Sequence, residues 1–325
     1  MNFTAPSMNC DMVSRESGEL LSCRAEEFRG RLMPYLRAWG RHGIHFSISP
    51  WNSPAWSGLL YGGESGAQVL TEYARCFTIG WFDLRFPGGE AMLQMEGRMP
   101  PEFGCIVTVA HDVMMYRFPY GHPDRAKRGE RNPAFLDPAL MEAALDPLLR
   151  VFGVRLRCVV LRCGRIYPTE GYAFGAFLRR LDGFLKVMAR RCRVAVEVGN
   201  CEHLQPEYFA CLRSHGAVHV IRHGDMMPPL SEQVLRPDVL TGGSVLVRVD
   251  AEADEVPGRC GGARMAAEVR VGIPQLLRRC LEEKKVLYVD LSDRPAGSAP
   301  LSLLAMMAML DPDLAALSVL RRRAA

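Results

Sequence analysis

Lysine is scarce in this chain. Of its 40 basic residues only Lys127, Lys186, Lys284 and Lys285 are lysines, and the others are arginines. A bias that runs the whole length reads as coding-sequence composition rather than as phosphate recognition. The net charge is only +4 over 325 residues, which gives no case for a nucleic-acid coat. No apolar run approaches the ~20 residues needed to cross a bilayer, so no membrane partner is expected. The opening stretch, MNFTAPSMNCDMVSRESGELL, lacks a basic region followed by an apolar core, so it does not read as a secretory signal. The eleven cysteines are odd in number and none form a C-x-x-C pair. Cys105 and Cys158 sit in apolar runs, where free thiols pack as small hydrophobes. That usage argues against a disulfide framework or zinc ribbon and for a reducing, cytoplasmic compartment.

Chemistry-bearing motifs are missing too. The chain has no G-x-G-x-x-G, no G-x-x-x-x-G-K-[ST], no G-x-S-x-G and no H-E-x-x-H. What remains is ordinary globular composition, 48% hydrophobic and 23% charged.

Short apolar runs occupy residues 44–49, 78–86, 105–109, 157–161, 194–198, 218–221, 245–249 and 286–290. CVVL, VAVEV and VLVRV are apolar at nearly every position, as strands buried on both faces are. Between them, residues 65–76, 90–97, 138–152, 172–190, 206–214, 273–283 and 300–310 carry apolar residues at helical spacing. Asp137-Pro138 and Gln205-Pro206 open two of these helices, and Gly216 closes one. Eight strands alternating with helices predict an α/β fold, a single (β/α)8 TIM-type barrel over residues 41–325. An open doubly wound sheet would want a glycine-rich turn after its first strand. Here that strand leads into Pro50-Trp51-Asn52-Ser53-Pro54. Residues 1–40 read as an N-terminal extension, polar and partly disordered at first, then helical over 26–39 despite Pro34.

Three stretches carry a family likeness: SISPWNSPAWSGLLY at 47–61, NPAFLDPALMEAALDPLL at 132–149, and VAVEVGN with LQPEYFACLRSHGAVHV and MPPL between 194 and 230. In them the chain resembles the domain-of-unknown-function 72 (YecE-like) family over about residues 44–310. The resemblance implies a (β/α) barrel and no established activity.

The chain also departs from the family's usual polar set. Gly80 and Phe82 stand where the resemblance implies Glu and Asn on the second strand. Thr108 stands for Lys on the third, and Arg162, Cys163, Gly164 and Arg165 for Gln-Leu-Pro-Pro after the fourth. Glu197 is kept, but Gly199 replaces an arginine. Arg222, His223 and Gly224 follow the sixth strand. Arg248 is kept, with Asp250 in place of histidine. Leu291 and Ser292 replace two asparagines, with Asp293 kept.

Barrel chemistry sits at the C-terminal ends of strands. Glu197, Arg248, Asp250 and Asp293 are therefore the candidate catalytic residues. Trp51, His111, Arg162, His223 and Asp225 are candidate ligand contacts. Glu197 and Arg248 each interrupt an apolar run, so they are expected to be buried and to pair with each other. His111, Glu197, His223, Asp225, Asp250, Asp290 and Asp293 have the residue types of a divalent-metal set, but no local spacing certifies one and no cofactor is assigned. The loop at 116–131 mixes Tyr116, Phe118 and Tyr120 with Arg117, Arg125, Lys127, Arg128 and Arg131.

The functional reading is a degenerate rim site that binds a small anionic ligand or partner with weak or no turnover. A rim-site enzyme, with or without a metal, acting on a phosphorylated or other anionic substrate is the alternative, and nucleic-acid binding through the 116–131 loop is a second. Convergence of Glu197, Arg248, Asp250 and Asp293 would favour the enzyme. A mouth filled by Phe82, Met114 and Met115 would favour binding.

Overall fold

The computed structural model describes residues 10–63, 68–85, 95, 97–110, 112–167, 171–224, 226–251, 267–293 and 298–324. After helix α1 (Cys10–Gly40) come β1 (Ile44–Ser49), α2 (Gln68–Cys76), β2 (Ile79–Arg85) and β3 (Gly104–Ala110). Then follow α3 (Pro138–Phe152), β4 (Leu156–Cys163), α4 (Phe174–Met188), β5 (Val194–Val198), α5 (Pro206–Ser214) and β6 (Val218–Arg222). The chain continues through α6 (Leu230–Leu235), β7 (Ser244–Ala251), α7 (Ala267–Glu282), β8 (Val286–Asp293) and α8 (Ala299–Ala324). The eight strands are parallel, in the order β1-β8-β7-β6-β5-β4-β3-β2. This is the expected TIM-type barrel, nearly closed.

Local chemistry explains the elements. Asp137 accepts from the backbone N–H of Ala139 (2.9 Å) and Leu140 (3.2 Å), and Pro138 occupies the first turn, so α3 starts where expected. All five residues of β5 are buried. The short α6 buries only Leu230, Gln233 and Val234, leaves Leu235 exposed, and so carries no readable period. The helix expected over 26–39 runs from Cys10 to Gly40, with Phe28, Leu32, Leu36 and Trp39 buried on one face. On that helix, buried Arg29 pairs with Glu72 of α2 at 3.0 Å and donates to the Leu60 carbonyl at 2.8 Å. The helix expected over 90–97 lies almost wholly outside the described residues.

Strand alternation divides the core in two. Ile79, Trp81, Ile106, Cys158, Val160, Ala195, Val218, Val220, Leu246 and Tyr288 fill the barrel interior. The alternate residues pack outward under the helices. Each large apolar side chain so buried contributes about 1.5–3 kcal/mol. At the seam between β1 and β2 the hydroxyl of Tyr73 accepts from the Ile48 N–H (3.1 Å) and donates to the Ile48 carbonyl (3.0 Å). A helix side chain thus satisfies an open edge of the sheet.

Candidate functional site

Above the apolar interior the inward positions become polar. Ser47, Asp290 and Arg248 are register partners in turn on β1, β8 and β7, and Arg222 on β6 partners Arg248. Arg162 and Glu197 are partners on β4 and β5, and Asp83 partners Thr108 across β2 and β3. These side chains point into one space and form an alternating series of charges.

The series begins at Asp290, which is fully buried. It accepts from Ser47 and Ser49, each at 2.8 Å, and pairs with Arg248 Nε at 3.2 Å. Arg248 then grips Asp83 through two parallel bonds of 3.0 and 2.8 Å and donates to Ser49 Oγ at 3.0 Å. Such bidentate pairs fix orientation as well as adding energy. Asp83 Oδ1 lies 3.4 Å from Arg162 Nη2. Arg162 Nε donates to Glu197 Oε1 at 3.0 Å, and Arg222 Nη1 donates to the same oxygen at 3.2 Å. Glu197 is 1% exposed. Its second oxygen, Oε2, is buried with no hydrogen-bond partner.

The two aspartates of the series differ electrostatically. Burial raises the Asp290 pKa above the ordinary carboxylate value, against the opposing pull of Arg248, Ser49 and Ser47. Burial also works against ionised Asp83, but the hydrogen bond and charge of Arg248, with Arg162 and Thr108, bring that carboxyl down to about 2. Burial works against the Arg248 charge as well, yet Asp290 and Asp83 outweigh it and its pKa is raised. Arg248 also lies 5.4 Å over the Trp81 ring, whose Nε1 donates to Thr108 at 2.7 Å. The side chains of Arg162 and Arg222 are 29% and 31% exposed, against 8% for Arg248. Those two arginines therefore face the mouth.

The sequence-named residues divide. Glu197 and Arg248 belong to the series, but they are not each other's partner. The cations on Glu197 are Arg162 and Arg222, because the Arg248 guanidinium reaches across to Asp83 and Asp290. Asp250 is half-buried, two residues beyond Arg248 and in register with Ser292. A side-chain carbon at Gly224, whose φ is +139°, would lie 3.1 Å from Asp250 Oδ2 and 3.9 Å from Arg222 Nε. Glycine keeps that space open.

Asp293 turns away from the interior. It accepts from Trp56 Nε1 (2.9 Å) and from the N–H groups of Ser298 and Ala299, which open α8 (3.0 and 3.1 Å). It is a capping group, placed outward by the alternation of β8. His223, beside inward Arg222, faces α7, where its Nε2 meets Glu268 Oε1 at 2.6 Å; its Nδ1 is buried and without a partner. Trp51 is half-buried, with its ring 6.3 Å from that of Phe82. His111 and Asp225 lie outside the described residues. Among those described, the metal-type residues do not gather at one point, since Glu197, Asp290, Asp293 and His223 each hold separate partners.

Phe82 does not fill the mouth either. It packs outward against Phe103 and Phe152, and a side-chain carbon at Gly80 would collide with its ring at 2.7 Å. The inward residues of β2 are Trp81 and Asp83, so Gly80 and Phe82 lie on the outward side of the strand. Asp83, Arg222 and Glu268 are the functional candidates that the sequence reading missed. Asp83 had a signal, as the one charged residue within IGWFDL.

The 116–131 loop closes on itself. Arg117 donates to the Gly129 carbonyl, and Arg128 to that of His122 at 2.7 Å. Lys127 sits 3.5 Å from Asp112 and 5.3 Å over the Phe118 ring, and Arg131 lies 5.3 Å over Tyr116. Tyr116 and Phe118 are buried, and Tyr120 is 83% exposed.

Among the described residues no helix is long and apolar enough to cross a membrane. No curated protein matches the chain. Among solved structures, a DUF72 family protein from Thermotoga maritima superposes with a TM-score of 0.55 at 16% identity, covering 82% of this chain and 99% of its own. A DUF72 family protein from Enterococcus faecalis gives 0.50 at 14% identity, covering 82% and 97%. Those likenesses are of fold. The profile of the family described as "Protein of unknown function DUF72" matches residues 45–324, nearly the whole barrel, and the chain belongs to that family.

Proposed function

We propose that the barrel mouth binds a small anionic ligand that also carries hydroxyl or amino groups, with weak or no turnover. The observation that carries this reading is the pairing of Arg162 and Arg222 on one oxygen of Glu197, with about 30% of each arginine side chain left open. Two guanidinium groups held side by side suit a carboxylate or phosphate. Half-buried Asp250, beside Gly224, supplies an acceptor for a ligand's donor groups. Affinity is expected to be modest, because each arginine is already partly neutralised by a carboxylate.

The same compensation argues against turnover. Asp83, at about 2, is a poor general base near neutral pH. Asp290 is sealed beneath Arg248 and two serines. Nucleic-acid binding through the 116–131 loop gains little support, since Arg117, Lys127, Arg128 and Arg131 are engaged within the loop.

A thermal-shift panel of phosphate, sugar phosphates and hydroxy acids tests the proposal. Stabilisation by a hydroxylated anion, lost in Arg162→Ala and Arg222→Ala, is the expected result. No stabilisation by any member, or stabilisation that survives both substitutions, overturns it. The enzyme alternative has one observation in its favour, the His223–Glu268 pair with Nδ1 unpartnered, which is how a carboxylate orients a histidine base. Turnover of a panel member, abolished by His223→Ala, would establish that reading in place of simple binding.

A further inference from the structure

We propose that Asp182, Cys211 and His215 form a binding site for one divalent transition-metal ion of the zinc type, separate from the barrel mouth. Cys211 lies on α5, and His215 follows its last residue, so the two sit four residues apart on one side of the helix end. Asp182 comes from the neighbouring helix α4. One ligand atom from each of the three residues lies within 4.8 Å of the other two. The His215 Nε2 to Asp182 Oδ1 distance is already 2.8 Å.

The donor set is the argument. Thiolate, imidazole and carboxylate are the ligands that zinc takes at about 2.0–2.3 Å, and three protein ligands with one open position is a common zinc arrangement. A thiolate and a carboxylate together balance the charge of a divalent ion. An Asp–His hydrogen bond between helices needs no thiol, yet a thiol stands beside it. Cys211 is buried while Asp182 is exposed, so the open position faces solvent. Without a cation, Cys211 keeps its thiol proton. Metal binding releases that proton to solvent as the sulfur–metal bond forms, and the ion takes the place of the proton between Nε2 and Oδ1. The site lies toward the opposite end of the barrel from the mouth, since α5 ends just before β6 begins, so an ion there would clamp α4 to α5.

The test is a Co2+ titration of the full chain after chelator treatment. One equivalent is expected to bind with thiolate-to-cobalt charge-transfer absorption and the intense visible bands of tetrahedral cobalt, and Zn2+ is expected to displace it. Cys211→Ser should abolish the charge-transfer band, and Zn2+ should not raise the melting temperature of that variant above its own metal-free value. His215→Ala and Asp182→Asn should each weaken binding, and Zn2+ should raise the melting temperature of the unmodified chain only. Absence of one-to-one binding, or a charge-transfer band that persists in Cys211→Ser because another cysteine supplies it, would overturn the proposal.

Discussion

Replacing Arg248 by methionine should expose how the barrel interior is held. Met keeps much of the arginine stem's volume but removes the guanidinium that lies over Trp81. Asp290 is then left fully buried with only Ser47 and Ser49 as partners. Stranding one member of a buried ion pair costs about 3–5 kcal/mol. Asp83 adds less, because 44% of its side chain is open to water and Arg162 stays nearby. The loss should depend on pH. The Asp290 pKa is already raised by burial, and removing its cation raises it further. Stability linked to a raised carboxyl is present in full below the unfolded value of about 3.9 and is lost as pH rises through the folded value. The penalty of Arg248→Met should therefore be largest at neutral pH and shrink toward pH 4. Urea unfolding of both proteins from pH 4 to 8 measures it, and taking the difference at each pH removes contributions from other groups. Adding Asp290→Asn should recover part of the loss at pH 7, because an amide needs no counter-charge. A penalty constant across the range, or a second substitution that adds to the loss, would refute the reasoning.

Glu197→Ala should cost about 2–4 kcal/mol by chemical denaturation. That range allows for loss of two charge-assisted bonds and for partial rehydration of the half-open Arg162 and Arg222. An unchanged unfolding midpoint would mean that the carboxylate is not buried between them. His219 is buried, and burial, with Arg236, lowers its pKa to about 3, so the stability it gives is present above about 6.5 and is lost as pH falls toward 3. At pH 5 that loss is roughly 2 kcal/mol, at 1.36 kcal/mol per unit. His219→Phe should flatten this share of the curve, although lowered His45 and His203 keep the remainder sloping the same way. Tyr73→Phe should cost about 1–3 kcal/mol by unsatisfying Ile48 at the β1–β2 seam, and should speed hydrogen exchange of the Ile48 amide.

The strands were legible because parallel strands covered by helices are apolar on both faces, and that same property hid which residues face inward. In VAVEV a single glutamate marks the inward side, and its burial followed. In IGWFDL, Asp83 is the one such mark, and its side carries Trp81 inward while Gly80 and Phe82 face the helices. Helices α3 and α5 were legible from Asp137-Pro138 and Gln205-Pro206, whereas α6 was too short to show a period. The partners of Glu197 were not legible. A guanidinium reaches several ångströms across the interior, so its partner is set by the relative heights of strands distant in sequence. Arg248 therefore met Asp83, 165 residues away, rather than Glu197. Asp293 was misjudged for a related reason. It ends β8, but strand alternation turns it outward, where the first N–H groups of α8 need an acceptor.

The alternating charges also change how the replaced rim residues should be understood. Drift alone would scatter polar and apolar side chains without regard to sign. Here Asp290, Arg248, Asp83, Arg162, Glu197 and Arg222 follow one another with opposite charges in contact, drawn from six different strands. Burying any one charge alone would carry a desolvation cost of several kcal/mol, so each is tolerable only with its neighbours present. Such an arrangement adds little net stability over an apolar interior, because Coulombic gain and desolvation nearly cancel. Its physical effect is to fix side-chain positions. Asp83, Arg162 and Arg222 stay partly open to water, and the two arginines lie toward the end of the series farthest from sealed Asp290. Under the proposed reading, the two arginines held on Glu197 Oε1 are the groups that an anionic ligand would meet first.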